Sequence, residues 1–149
     1  MAKKVRCAVL MFGMGGLMYN LIEILWRGYT HWSMFFVGGA CFQIIGKIHT
    51  LSKRNLFQRC ALCSAAVTVV EFISGCLVNL RLKLNVWDYS DMLFNIKGQV
   101  CLLYSVLWGG LSLIAIPIYK SCRHHVEGRP AQRRLPAAAA SRARGTQVL

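Results

Sequence analysis

Long apolar runs separated by short polar segments dominate the pattern of this chain. Four of the runs approach 20 residues, the length that an α-helix needs to cross a hydrocarbon core of about 30 Å. They predict membrane-spanning helices at about residues 7–26, 32–48, 60–80 and 100–119. The pattern therefore predicts an all-α membrane protein, with one domain of four transmembrane helices over residues 1–119.

The chain changes character after the fourth run. Residues 120–149 contain two prolines, a run of alanines and many arginines, but few large apolar side chains. Such a segment buries too little apolar surface to offset the entropy that it would lose on folding. We expect residues 120–149 to form a basic, disordered C-terminal tail.

Positive charge is distributed unevenly among the segments that flank the spans. The formal net charge is +13, and fourteen of the 18 Lys and Arg residues lie before the first span, around the connection between the second and third, or in the tail. This is the positive-inside distribution, and it predicts that both termini are cytoplasmic. Basic segments beside a bilayer attract anionic lipid headgroups, so the charge does not require a nucleic-acid partner.

Two glutamates lie inside predicted spans, each on a helix face that carries other polar or small residues. In the first span this face consists of Gly16, Asn20, Glu23 and Arg27, and in the third it consists of Ser64, Thr68, Glu71, Gly75 and Asn79. A carboxylate at this depth is costly in lipid. Both glutamates should therefore face the interior of the bundle.

The residues leave two interpretations of these carboxylates open. In the functional one, an intramembrane carboxylate couples transport to a proton or another cation. In the structural one, Glu23 pairs with Arg27 one turn later, and Glu71 accepts a hydrogen bond from Asn79, Ser105 or a tryptophan indole.

Other chemistry has little support in the sequence. Cys60 and Cys63 have zinc-ligand spacing and could join Cys122, His124 and His125, but the two cysteines open a helix and the other three lie in the predicted tail. We expect neither a metal site nor a cofactor. The sequence contains no Walker A, GxSxG or HExxH motif, and so we expect no catalytic residues and no enzyme activity.

Three stretches carry a resemblance to a known family. They are YNLIEILWRGYTHWSMFFVGG at residues 19–39, Glu71-Phe72 with Gly75 and Asn79, and NVWDYSDMLFNIKGQVCLLYSVLWG at residues 85–109. Together they resemble the ABC-transporter type IV family of small bacterial integral membrane proteins, over about residues 19–119. Leu93 departs from the pattern, which has proline there, and the chain beyond about Cys122 has no recognised counterpart.

The resemblance implies a multi-pass protein of the bacterial inner membrane that acts as a permease-like or accessory transport subunit. We expect a polar cavity lined by Glu23, Glu71, Asn79, Ser105 and Trp108. We expect an outer loop over it, with a motif formed by Trp87, Asp88, Tyr89, Ser90, Asn95 and Gly98. Besides the lipid bilayer, the expected partner is a separate ATPase subunit or further copies of the chain, because four helices are few for a translocation path.

Three rival functions remain open. The first is a membrane scaffold without transport activity or a holin-like pore former, in which case neutralising Glu71 should matter little. The second is a small proton-coupled exporter, which the strong charge asymmetry disfavours, because such exporters often insert in both orientations. The third is a membrane enzyme that uses Asp88 and Asp91, whose i, i+3 spacing in a loop is weak support.

Overall fold

Four helices account for most of residues 2–127, the part of the chain that the computed structural model describes. They are α1 (Ala2–Arg27), α2 (Trp32–Leu51), α3 (Leu56–Gly75) and α4 (Leu102–Glu127), and a π-helical segment, Cys76–Arg81, follows α3 directly. Within these residues, four helical stretches are long and apolar enough to cross a membrane, the third of them including the π-helical segment. For residues 2–127, the prediction of an all-helical fold with four such helices is confirmed.

The last helix extends beyond the predicted end of the fourth span. Because α4 ends at Glu127, residues 120–127 are helical, although the sequence pattern assigns them to the tail. This stretch contains no glycine or proline, and His125 Nδ1 lies 2.9 Å from the Ser121 carbonyl oxygen one turn earlier. Residues 128–149, the remainder of the predicted disordered tail, lie outside the described residues.

Short connections join the first three helices, so that each helix runs antiparallel to the one before it. At the first connection the backbone of Gly28 has φ +79, a left-handed conformation that glycine adopts without steric cost. His31 then caps α2, since its Nδ1 accepts a hydrogen bond from the Ser33 backbone N–H at 3.3 Å. At the second connection Asn55 Oδ1 accepts from the Gln58 N–H at 2.9 Å and so begins α3.

Helices α1 and α2 approach closely at four glycines, Gly15 and Gly16 of α1 and Gly38 and Gly39 of α2. A Cβ atom on Gly38 would lie 2.2 Å from Tyr19 Cβ and 2.9 Å from the backbone oxygen of Gly15. One on Gly15 would lie 2.3 Å from Phe42 Cβ. Small residues at helix contacts let two backbones pack closely in lipid. These glycines therefore allow the short distance between α1 and α2.

The bundle has a packed interior and an apolar exterior. Met11, Cys63, Val67 and Ser112 are fully buried among the four helices. Large apolar side chains also cover the outside, and Leu25 is 78% exposed. In water so large an apolar surface would drive association, whereas on four membrane-length helices it suits contact with lipid tails.

Candidate functional site

Glu71 joins three helices in the interior of the bundle. Its Oε1 accepts a hydrogen bond from the Tyr19 hydroxyl of α1 at 2.7 Å, and its Oε2 accepts from the Trp108 indole N–H of α4 at 2.6 Å. The Tyr19 and Trp108 rings are themselves stacked, with centroids 5.3 Å apart. The carboxyl group, which belongs to α3, therefore fixes the relative positions of two rings from other helices.

Glu23 forms a second polar cluster one turn along α1 from Tyr19. It is paired with Arg27 at 3.4 Å and accepts a hydrogen bond from the Thr30 hydroxyl at 2.6 Å. Arg27 also donates to the backbone oxygen of Val86 at 2.9 Å, and its guanidinium lies 4.6 Å from the centroid of the Tyr29 ring. This cluster ties the end of α1 to the chain that follows α3.

A cavity of about 210 Å³ lies between α1 and α4 beside these two clusters. Its lining comprises Tyr19, Ile22, Glu23, Trp26 and Arg27 of α1, Tyr104, Leu107, Trp108 and Leu111 of α4, and Tyr89 of the intervening loop. Ile22, Trp26 and Leu107 are also exposed on the outside of the bundle, so the cavity opens sideways between the two helices. Its volume is several times the roughly 30 Å³ that one water molecule occupies in the liquid.

The loop of residues 82–101 holds Tyr89 against the cavity. Asn79 organises this loop from the π-helical segment: its side-chain NH₂ donates to the Trp87 oxygen at 2.9 Å and to Gln99 Oε1 at 2.8 Å. Its Oδ1 accepts from the Val86 N–H at 2.7 Å. The Tyr89 ring then stacks on Tyr104, with centroids 4.6 Å apart. Burial raises the pKa of Tyr89 above its ordinary value, so its hydroxyl stays neutral.

Comparison with known proteins places this four-helix bundle in a family. The sequence profile of the family described as "Putative ABC-transporter type IV" matches residues 5–135. The chain belongs to this family. No curated protein and no solved structure matches the chain. The protein is thus a multi-pass membrane protein of a transport-related family.

The family match confirms the resemblance and extends it at both ends. The match begins at residue 5, before the first stretch that carries the resemblance, and ends at residue 135. The expectation that nothing beyond about Cys122 has a counterpart is therefore wrong as far as residue 135. Part of the basic C-terminal segment belongs to the family pattern.

The five residues predicted to line a polar cavity do not all lie at the same place in the structure. Glu23 and Trp108 line the cavity. Glu71 is not part of the lining, but it accepts hydrogen bonds from Tyr19 and Trp108, which are. Asn79 and Ser105 lie elsewhere. Asn79 holds the loop, and Ser105 faces α3, where its hydroxyl accepts from Thr68 at 2.9 Å and its backbone oxygen accepts from Ser64.

Most residues of the predicted loop motif form hydrogen bonds within the loop and do not line the cavity. Asp88 Oδ1 accepts from the N–H of Ser90 at 2.9 Å and from its hydroxyl at 2.5 Å, and these bonds lower the pKa of Asp88. Asn95 donates to the Ser90 oxygen at 2.9 Å and accepts from the N–H of Gly98 at 3.1 Å. Of the six motif residues, Tyr89 alone lines the cavity. Trp87 is buried, and its indole N–H donates to the backbone oxygen of Gln99 at 2.9 Å.

Sequence reasoning missed several residues of the cavity. Tyr19 and Tyr104 are not among the predicted site residues, and the sequence pattern indicates Arg27 only as a partner of Glu23. A signal was present in each helix, since Tyr19 precedes Glu23, and Tyr104 precedes Trp108, by one turn. The pattern does not show that α1 and α4, which are far apart in the chain, pack beside each other.

The described residues offer no metal centre. Among residues 2–127 there is no group of three or more His, Cys, Asp or Glu side chains placed to hold an ion. Cys60 and Cys63 are buried in the core, whereas His124 and His125 are exposed on α4.

Proposed function

We propose that this protein is a permease-like or accessory subunit of an ABC transporter in the bacterial inner membrane. The observation that carries the proposal is the cavity between α1 and α4, which combines an apolar and aromatic lining with the Glu23–Arg27 pair. Ligand sites are typically concave and mostly apolar, with a few convergent polar groups. Family membership supplies the class of transport.

The cavity is a binding pocket and not a channel in a single copy of the chain. Between it and the other end of the described bundle lie the buried side chains Cys63, Val67 and Ser112. Further along, the Tyr119 ring fills the space that Gly46 leaves open, since a Cβ on Gly46 would lie 2.0 Å from it. Passage of a ligand therefore requires rearranged helices, a second copy or another subunit.

Energy for transport would come from a separate ATPase, because the chain contains no nucleotide-binding motif. Its polar groups are engaged in holding helices and the loop together, which supports a role without catalysis of its own. In this proposal a homo-oligomer or a partner permease completes the translocation path.

We place both termini and the connection around Arg54 in the cytoplasm, and the loop around Asp91 outside. Both side chains are exposed in the structure. In intact cells, a membrane-impermeant maleimide should label Asp91→Cys, and it should label Arg54→Cys only after permeabilisation. The background for both variants is a chain with its native cysteines replaced by serine. Labelling of Arg54→Cys in intact cells would overturn the orientation.

Copurification tests the transport assignment directly. The tagged chain, isolated from membranes of its own host, should bring down an ATPase that hydrolyses ATP. Lys53→Glu combined with Arg54→Glu, at exposed positions facing the cytoplasm in this orientation, should reduce the recovered ATPase severalfold. Lys97→Glu, an exposed charge in the opposite loop, is the matched control and should leave recovery unchanged.

Two results would contradict this assignment. Absence of any ATPase, together with leakage of small molecules from cells that express the chain, would favour the holin-like alternative. Absence of both an ATPase and leakage would favour a membrane scaffold.

A further inference from the structure

Aromatic side chains make up half of the residues that line the cavity. Five of them line it: Tyr19, Trp26, Tyr89, Tyr104 and Trp108. They are held in place by one another, as two stacked pairs, Tyr19 with Trp108 and Tyr89 with Tyr104, and by a hydrogen bond of 3.2 Å from the Trp26 indole N–H to the Tyr104 hydroxyl. A cage of fixed aromatic rings is the arrangement by which proteins bind alkylated ammonium groups.

Two carboxyl groups help to fix the side chains around the cavity. Glu23 lines the cavity and is paired with Arg27 at 3.4 Å. Glu71, from α3, accepts hydrogen bonds from the Tyr19 hydroxyl and the Trp108 indole and so holds these two rings in position. The preference for a cation therefore comes from the aromatic faces, and not from the net charge of the lining.

The one cationic side chain in the lining does not oppose this preference. Among the residues that line the cavity, Arg27 alone carries a positive charge, and it is paired with Glu23. Its guanidinium is also directed to the Val86 oxygen and lies over the Tyr29 ring, which is not part of the lining. Of the guanidinium nitrogens, Nη1 is paired with Glu23 and Nη2 donates to Val86, and within residues 2–127 Nε alone has no hydrogen-bond partner. An anion would therefore find a single free N–H of Arg27 in a wall that is otherwise aromatic and apolar.

A metal ion fits the cavity poorly. Hard cations require several oxygen ligands at short distance. The carboxyl oxygens of Glu23 and Glu71 are already engaged by Arg27, Thr30, Tyr19 and Trp108. A weakly hydrated organic cation needs no such ligands, because aromatic faces and apolar side chains suffice to surround it.

We propose that the cavity between α1 and α4 binds a small organic cation of the substituted-ammonium type. This inference rests on the proposed function, since it takes the cavity as the site of the transported ligand. The sideways opening between α1 and α4 leaves room for a cation that carries an apolar chain into the bilayer.

Choline and its neutral isostere, 3,3-dimethylbutan-1-ol, test the proposal on the purified full chain. The two probes have nearly the same shape and differ in charge. Calorimetric titration should give choline a Kd at least about tenfold lower than that of the isostere, the preference that a desolvated cation–π contact provides. Equal affinities, or no saturable binding of choline, would overturn the proposal.

Variants of Tyr104 locate the binding to the cage. Tyr104→Leu removes a ring and should weaken choline binding about tenfold, whereas Tyr104→Phe keeps the ring and should bind within about threefold of the wild-type protein. Phe36→Leu, which removes an exposed ring of α2 outside the cavity, is the matched control and should bind normally. Equal binding by Tyr104→Leu and Phe36→Leu, with both folded by thermal unfolding, would place choline elsewhere and refute the inference.

The outcomes separate this inference from the transport assignment. A copurifying ATPase with no choline preference would leave the transport role intact and reject the organic cation. Choline binding that depends on Tyr104 without any ATPase would support the cage while removing the ABC-transporter role.

Discussion

Replacing Gly38 by alanine should destabilise the protein by about 2–3 kcal/mol, the upper range for overpacking in a well-packed interior. The added methyl group would lie 2.2 Å from Tyr19 Cβ and 2.9 Å from the Gly15 backbone oxygen, and backbone cannot move aside as a flexible side chain can. Helices α1 and α2 would have to separate, and Tyr19 would be drawn away from Glu71. Thermal unfolding in detergent measures the effect.

Gly13→Ala is the matched control for this substitution. Gly13 is also a helical glycine, in α1, but a Cβ there would meet nothing within 4 Å. The same chemical change should be neutral or stabilise by up to about 1 kcal/mol, because alanine favours the helix more than glycine does. Equal loss of stability in both variants would show that close approach at Gly38 does not hold the two helices together.

Replacing Glu71 by leucine should destabilise the protein by about 3–5 kcal/mol. Leucine offers no acceptor, so the Tyr19 hydroxyl and the Trp108 indole N–H would both be left without the partners that they now have. Each buried donor left unpaired costs about 1–3 kcal/mol, and the misfit of a branched apolar side chain adds to this. Thermal unfolding in detergent measures the loss, and the fluorescence of Trp108 should change with it.

Glu71→Gln separates a structural role from a coupling role. The glutamine Oε1 can accept from the Trp108 N–H while its NH₂ donates to the Tyr19 hydroxyl, which accepts as well as donates. This variant should therefore stay within about 1 kcal/mol of the wild-type stability. If Glu71 couples transport to a cation, Glu71→Gln should insert and fold normally but lose transport. Wild-type stability of Glu71→Leu would mean that the two hydrogen bonds contribute nothing to the fold.

The sequence pattern predicts the helices and the burial of Glu71 inside the bundle, because both follow from local rules. Apolar runs of membrane length define the helices, and a carboxyl group inside such a run must find partners. The Glu23–Arg27 pair was predicted from one-turn spacing and is present. For Glu71 the pattern left three acceptable partners, and the structure contains one of them, a tryptophan indole, together with Tyr19.

The position of Asn79 could not be predicted in the same way. It continues the polar stripe of α3, and on an ideal helix it would belong to the same surface as Glu71. The loop after the π-helical segment folds back over this surface, however. Gly75 leaves room for the Gln99 side chain and the Trp87 ring, since a Cβ there would lie 2.6 Å from Gln99 Oε1 and 3.1 Å from Trp87 Cζ2. Asn79 is thus covered by the loop that it holds.

The cavity itself depends on pairing between helices that are distant in the chain. Hydrophobic periodicity identifies a face on each helix but does not say which faces meet. The cage needs α4 beside α1, and it needs Tyr89 to be placed by a loop with left-handed backbone at Lys83, Asn85, Phe94 and Lys97. Nothing in residue spacing alone specifies either feature.

The long separation between Glu71 and Trp108 also has a consequence for biogenesis. The two residues are 37 positions apart, whereas α1 and α2 are joined by a short turn and can pair as soon as both have been made. At about 5–20 residues per second, a ribosome needs roughly two to seven seconds to advance from Glu71 to Trp108. During that interval the nascent α3 carries a carboxyl group whose second partner does not yet exist. Retention of α3 in the bilayer then depends on Tyr19 and on the insertion machinery until α4 arrives.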